Sequence, residues 1–213
     1  MKQNHRQRAY QKIKEMILFL ELKPGHRIVE SEISGRLKIG RTPVREALLM
    51  LENQKLVVSG NKRGFFVRNL SSKEMNEYFQ IRILMEEFAI PLIVGKITSS
   101  EIRDLKKNIE RATEAIKNNR SRDIIRYETQ FHEILYRATK SEVFVDTISF
   151  LVDKFQWLRA IGMSADQDVK ESLNDHIRIL DAIIRKDDKK LKKIVKEHTQ
   201  HLKKKVKIVQ GLF

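Results

Sequence analysis

The chain has 213 residues, 41% hydrophobic and 33% charged, which suits a soluble globular protein of one or two small domains and excludes a disordered one. It contains no cysteine, which excludes disulfides and thiolate zinc sites. A formal net charge of +15 favours polyanionic partners, because contacts to phosphates release condensed counterions. The apolar stretch MILFLEL is short and preceded by Lys14 and Glu15. It is neither a signal peptide nor a membrane span, so the expected location is the cytoplasm, with no membrane partner.

Residues 6–20 predict an amphipathic helix with Ile13, Ile17, Leu18 and Leu20 apolar, broken at Pro24-Gly25. A short helix follows from about Glu30, with Ile33 and Leu37 on its buried face, and then the turn KIG. Thr42 reads as an N-cap and Pro43 as the first helical position, where a missing N–H costs nothing. That helix runs to about Gln54 and buries Val44, Ala47, Leu48 and Leu51. LVVS, GNKRG and FFVRNL then read as strand, turn and strand.

The order helix, helix, turn, helix, hairpin is that of a winged helix-turn-helix. The second helix of such a motif enters the major groove of double-stranded DNA with its N-terminal residues at the base edges. Arg41 and Arg45 lie one turn apart at that end, and Thr42 adds a hydroxyl. The free N–H groups of the helix start add a phosphate site. Lys62 and Arg63 sit on the hairpin tip, suited to the DNA backbone or the minor groove. Residues 1–70 hold 15 Lys and Arg against 6 Asp and Glu, and the rest of the chain holds 28 against 22, so the basic surplus is concentrated where the motif lies.

The stretches LKPGHRIVESEIS, IGRTPVREALLMLENQKLV and GFFV resemble the DNA-binding domain of the GntR family of bacterial transcription regulators, over roughly residues 8–70. The resemblance implies that Arg41, Thr42, Pro43 and Arg45 lie at the DNA, with Gly64 as the wing glycine. Gly40 departs from the Ser or Thr usual in the family, which removes a side-chain phosphate contact or cap.

A boundary falls near Leu70, dividing the chain into a DNA-binding domain over 1–70 and a second domain over 71–213. SSKE at 71–74 is a capping box. Helices are expected at about 72–94, 99–118, 121–138, 141–161, 166–186 and 188–208, punctuated by Gly95, NNR, TKSE, Gly162 and KDDKK. Pro91 should kink or stagger the first. The fold class is therefore mainly α with a small β wing, an N-terminal winged helix-turn-helix followed by a C-terminal all-α helical bundle.

His176 and His198 lie eleven residues to either side of Asp187, the centre of the last turn. In an antiparallel helical hairpin, residues equidistant from the turn share a height. His132 follows Glu128 by four and so shares its helix face. Three imidazoles and a carboxylate on inward faces make a candidate site for a divalent ion, Zn, Ni, Mn or Fe. His201, three residues beyond His198, fits either an outer role or an exposed one, and the lysines between 186 and 207 read as a solvated face.

QIRILMEEFAIPLI, YETQFHEILYRAT and DHIRILDAIIRKDDKKLKKIVKEHTQHL are similar to the effector domain of the FCD subclass of that family, over roughly 73–208. The resemblance implies a divalent metal on Glu128, His132, His176 and His198, with Glu128 in place of the usual Asp. It also implies a ligand cavity near Arg82, Glu86 and Arg159, a small organic acid as effector, and a homodimer. The expected function is a ligand-responsive DNA-binding regulator, a repressor, reading a pseudo-palindromic operator. Two alternatives stand beside it. One is a metal-dependent enzyme with an accessory nucleic-acid-binding domain; it needs a general base, and no second carboxylate or histidine sits at an obvious spacing. The other is an effector-free structural DNA-binding protein.

Overall fold

The computed structural model describes residues 5–60, 64–165 and 169–210. The chain divides into two compact units, Met1–Ser71 and Ser72–Phe213.

In the first unit, α1 (His5–Leu18) buries Ala9, Ile13, Met16 and Ile17 along one stripe. It ends two residues earlier than expected, because Leu20 turns the chain with a left-handed φ of 59°. β1 (Arg27–Ile28) is a strand that the sequence did not suggest; two residues are too few to show a period of two. α2 (Glu30–Leu37) buries Ile33 but only half-buries Leu37; Ile39 in the turn takes the buried place. Lys38 closes α2 in the left-handed conformation, its N–H donating to the Gly35 carbonyl. α3 (Arg41–Asn53) buries Val44, Ala47, Leu48 and Leu51 as the spacing requires. Its N-cap is Gly40 rather than Thr42, and no side chain caps it. Thr42 and Pro43 therefore sit inside the first turn, where backbone N–H groups have no helical acceptor and proline still costs nothing.

β2 (Val57–Gly60) and β3 (Gly64–Val67) form an antiparallel pair in register Val57 to Val67, and β1 pairs with the other edge of β3. Gly64 has φ +88°, which a side chain adopts only with strain.

The described residues of the second unit form helices joined by short turns: α4 (Ser72–Lys96), α5 (Ser99–Lys117), α6 (Ser121–Ala138), α7 (Glu142–Ala165), α8 (Lys170–Ile184) and α9 (Asp188–Gln210). α4 continues through Pro91 to Lys96. Thr98 caps α5 in a capping box with Glu101, each side chain bonding the other residue's backbone N–H. Gly162 does not end α7. A Cβ there would lie 2.9 Å from Leu202 Cδ1 and 3.3 Å from Val206 Cγ2, so the glycine lets α9 approach closely. α9 packs against α4, α7 and α8. The core between the helices is built from Phe131, Phe155, Ile148, Ile179, Ile183, Leu191 and Ile194, all nearly fully buried.

Candidate DNA-reading helix and buried histidine site

The start of α3 is held from behind by Val44, Ala47 and Leu48, all fully buried, which leaves Arg41, Thr42 and Arg45 exposed on the opposite face. Arg45 Nη1 is paired with Glu30 Oε1 at 2.8 Å and its guanidinium lies 5.8 Å over the Phe65 ring. Pro43 is half-buried and Gly64 begins β3. Lys62 and Arg63 lie outside the described residues.

The second site lies inside the helical unit. α8 and α9 form a hairpin whose turn is closed by Asp187, its carboxylate accepting from the Lys190 N–H at 2.9 Å. Across it the His176 and His198 rings stand 5.0 Å apart, at matching heights as their spacing from the turn requires. His132 of α6 joins them, and one ring nitrogen from each of the three lies within 4.8 Å of the others. All three are buried. Phe131 stacks on His176, with centroids 3.9 Å apart and planes 8° from parallel, and so fixes that ring. Glu128 is also buried but stands to one side. Its Oε2 accepts from Ser172 Oγ at 2.7 Å and lies 3.6 Å from His176 Nε2.

Carboxylates back two of the rings. Glu86 Oε1 lies 3.2 Å from His132 Nδ1, and Asp175 Oδ2 lies 3.5 Å from His198 Nδ1. Asp175 also accepts from His201 Nδ1 at 3.0 Å. The sequence showed no further carboxylate at an obvious spacing; Asp175 reaches His198 only because α8 and α9 fold together, although its adjacency to His176 was a signal. Glu86 further accepts from Arg82 Nε at 3.0 Å and Tyr136 Oη at 2.8 Å. Burial alone would raise the Glu86 carboxyl, but Arg82 and His132 hold it well below the usual range. Burial, with Arg82 beside it, keeps His132 neutral, and burial pushes His176 down to about 3. Neutral imidazoles with free lone pairs are what a metal ion requires.

The donor set fits a divalent cation. Tetrahedral Zn–N bonds of about 2.0–2.1 Å separate ligand nitrogens by roughly 3.3 Å, and His132 Nε2 and His198 Nε2 are 3.2 Å apart. His176 Nε2 is buried with no hydrogen-bond partner among the described residues. Arg82 is wholly buried within this network, and Arg159 donates to Thr129 Oγ1 at 2.7 Å. Burial and the neighbouring Arg82 charge lower Arg159 to about 10. Arg159, Glu128, His198 and Lys205 line an adjoining cleft. A second cavity touches Glu86, His132, Tyr136 and His198 and is otherwise aliphatic.

Two family descriptions cover most of the chain. "Bacterial regulatory proteins, gntR family" matches residues 5–67, and "FCD domain" matches 77–201. The chain belongs to the GntR family, and its helical unit is an FCD domain. It is similar to the HTH-type transcriptional regulator YdhC of Bacillus subtilis, 28% identical over 90% of this chain and 86% of that one. It is 24% identical to the HTH-type transcriptional repressor RspR of Escherichia coli, over 96% and 90% of the two chains. Among solved structures, E. coli McbR/YncC superposes with a TM-score of 0.82 at 21% identity, covering 99% of both chains, which establishes the fold. This GntR-family member is thus a DNA-binding transcriptional regulator, not an enzyme. Among the described residues no helix is long and apolar enough to cross a membrane.

Proposed function

We propose that this regulator is a homodimeric repressor whose FCD domain holds a divalent metal on His132, His176 and His198, with Glu128 alongside, and responds to a small organic acid. The observation that carries the reading is the buried triad of imidazoles, with the Glu86 carboxylate 3.2 Å from His132 Nδ1 and the Asp175 carboxylate 3.5 Å from His198 Nδ1. Such backing orients a ring toward a metal and raises its basicity. When bound, the metal supplies a positive centre for an anionic ligand. Arg159 and Lys205 of the adjoining cleft, with Arg82 nearby, add donors that suit a carboxylate.

Homodimerisation is supported by an apolar stripe. Ile81, Leu84 and Phe88 recur at helical spacing on α4 and are 41%, 67% and 62% exposed. Phe88 stacks on Phe144 of α7, whose Val143 and Phe150 are exposed as well. Such a patch is typical of a protein interface, and a second copy of the chain would present two copies of α3 to the halves of a pseudo-palindromic operator.

The test is metal analysis. Purified protein carries about one divalent ion per chain, and removing it lowers the melting temperature, because a ligand of the folded state alone adds stability. His176→Ala and His198→Ala abolish both. Protein that cannot be loaded, with a melting temperature indifferent to added Zn, Ni, Mn or Fe, overturns the reading.

A further inference from the structure

We propose that Arg82 is a built-in competitor for the metal, so that uptake of a divalent cation releases an arginine of α4; this rests on the metal reading above. An imidazole nitrogen has one lone pair. His132 Nδ1 faces Glu86 Oε1 at 3.2 Å, and a carboxylate only accepts, so Nδ1 carries the proton and Nε2 keeps the lone pair. Nε2 is also the nitrogen that faces His198 Nε2 at 3.2 Å, and so the one a shared ion would use. In the structure Arg82 Nη2 lies 2.9 Å from that same nitrogen and 3.4 Å from Nδ1, so the guanidinium sits against the ring beside both nitrogens. An ion at about 2.1 Å from Nε2 would set a dication against the adjacent guanidinium at low local dielectric. The two positive groups therefore compete at His132.

Arg82 is placed to hold that position and to leave it. Its side chain is 0% exposed, and Nε is anchored on Glu86, which Tyr136 and Thr199 also bind. Its Nη1 has no hydrogen-bond partner among the described residues. A buried guanidinium paired only in part is held less firmly than one fully satisfied. Once Nη2 is displaced, the edge formed by Nη1 and Nη2 is free to grip a carboxylate with two parallel bonds. The structure thus assigns an order to binding: metal first, organic acid second. The displaced contact joins α4 to α6, and α4 is the helix that begins where the DNA-binding unit ends.

The experiment is a chelator competition for Zn2+ on the full chain, comparing the parent, Arg82→Met and Arg82→Lys. Arg82→Met keeps the bulk and removes the donors; it is expected to bind Zn2+ roughly tenfold more tightly, within the range by which groups around a metal ligand change affinity. Arg82→Lys, shorter and with one nitrogen, falls between. Because Arg82→Met leaves Glu86 without its cation and could misfold, the parent provides a second readout. With 15N-labelled arginine, the Arg82 Nε–H signal, assigned by its loss in Arg82→Lys, shifts and exchanges faster with water on Zn2+ addition. A folded Arg82→Met that binds Zn2+ no more tightly overturns the inference. So does a parent that binds Zn2+ with the Arg82 signal unmoved. A parent that takes up no Zn2+ and matches His176→Ala overturns the metal reading as well, which separates the two failures.

Discussion

Arg45 is held by Glu30, yet its side chain is 62% exposed, and a surface ion pair of that kind contributes little. Glu30 therefore holds the guanidinium only weakly, leaving it available to another partner. Arg41→Ala and Arg45→Ala are each expected to weaken specific operator binding by about 1–3 kcal/mol, the worth of a bidentate base contact. Glu30→Gln, which removes a negative charge beside the proposed phosphate path, is expected to bind DNA at least as tightly as the parent. Fluorescence anisotropy at one fixed salt concentration measures all three. An Arg45→Ala protein with parental affinity would remove α3 from the groove. The arginines were legible because polar residues at a helix start need no tertiary information to be exposed. Asp175 was not, since its partner His198 lies on another helix.

At the scale of elements, glycine separates what spacing can show from what packing decides. Gly95 and Gly162 both look like helix punctuation. Gly95 sits one residue before the end of α4, with nothing near its missing side chain. Gly162 lies within α7, where α9 closes on it. Gly162→Val is therefore expected to cost about 1–3 kcal/mol through overpacking. Gly95→Ala is expected to be neutral or to gain up to about 1 kcal/mol from helix propensity. Urea unfolding of the two proteins tests the contrast, and equal effects would refute the close approach of α9. The helix boundaries of the FCD domain were legible to within a few residues because each turn is short and polar. The two-residue β1 was not, because it exists only through its pairing with Phe65 and Phe66 of β3.

For the whole molecule the central quantity is the coupling between ligand and operator. A small carboxylate that binds the FCD domain is expected to change operator affinity by about 1–3 kcal/mol, and operator must change ligand affinity by the same factor. Titrating the ligand with and without operator checks this; equal affinities for a compound shown to occupy the domain exclude it as the effector. Phe88→Glu is expected to shift sedimentation from dimer to monomer and to weaken operator binding, because charge on the apolar stripe of α4 cannot be buried against a second copy. A Phe88→Glu protein that remains dimeric moves the interface away from α4.

Local chemistry by itself determined the winged helix-turn-helix, the run of helices after it and the equal heights of His176 and His198. Turn residues, helical periods and the position of Asp187 act between near neighbours in the chain. The tertiary structure decided what these residues touch. It grouped His132 with the hairpin histidines and set Glu128 to the side against Ser172. It turned Arg82 and Glu86 from residues near a cavity into partners of His132. Those contacts join α4, α6, α8 and α9, and which side chains meet at a helix crossing depends on how each helix is rotated and how close the others come. Packing sets both, and no periodicity within one helix records them.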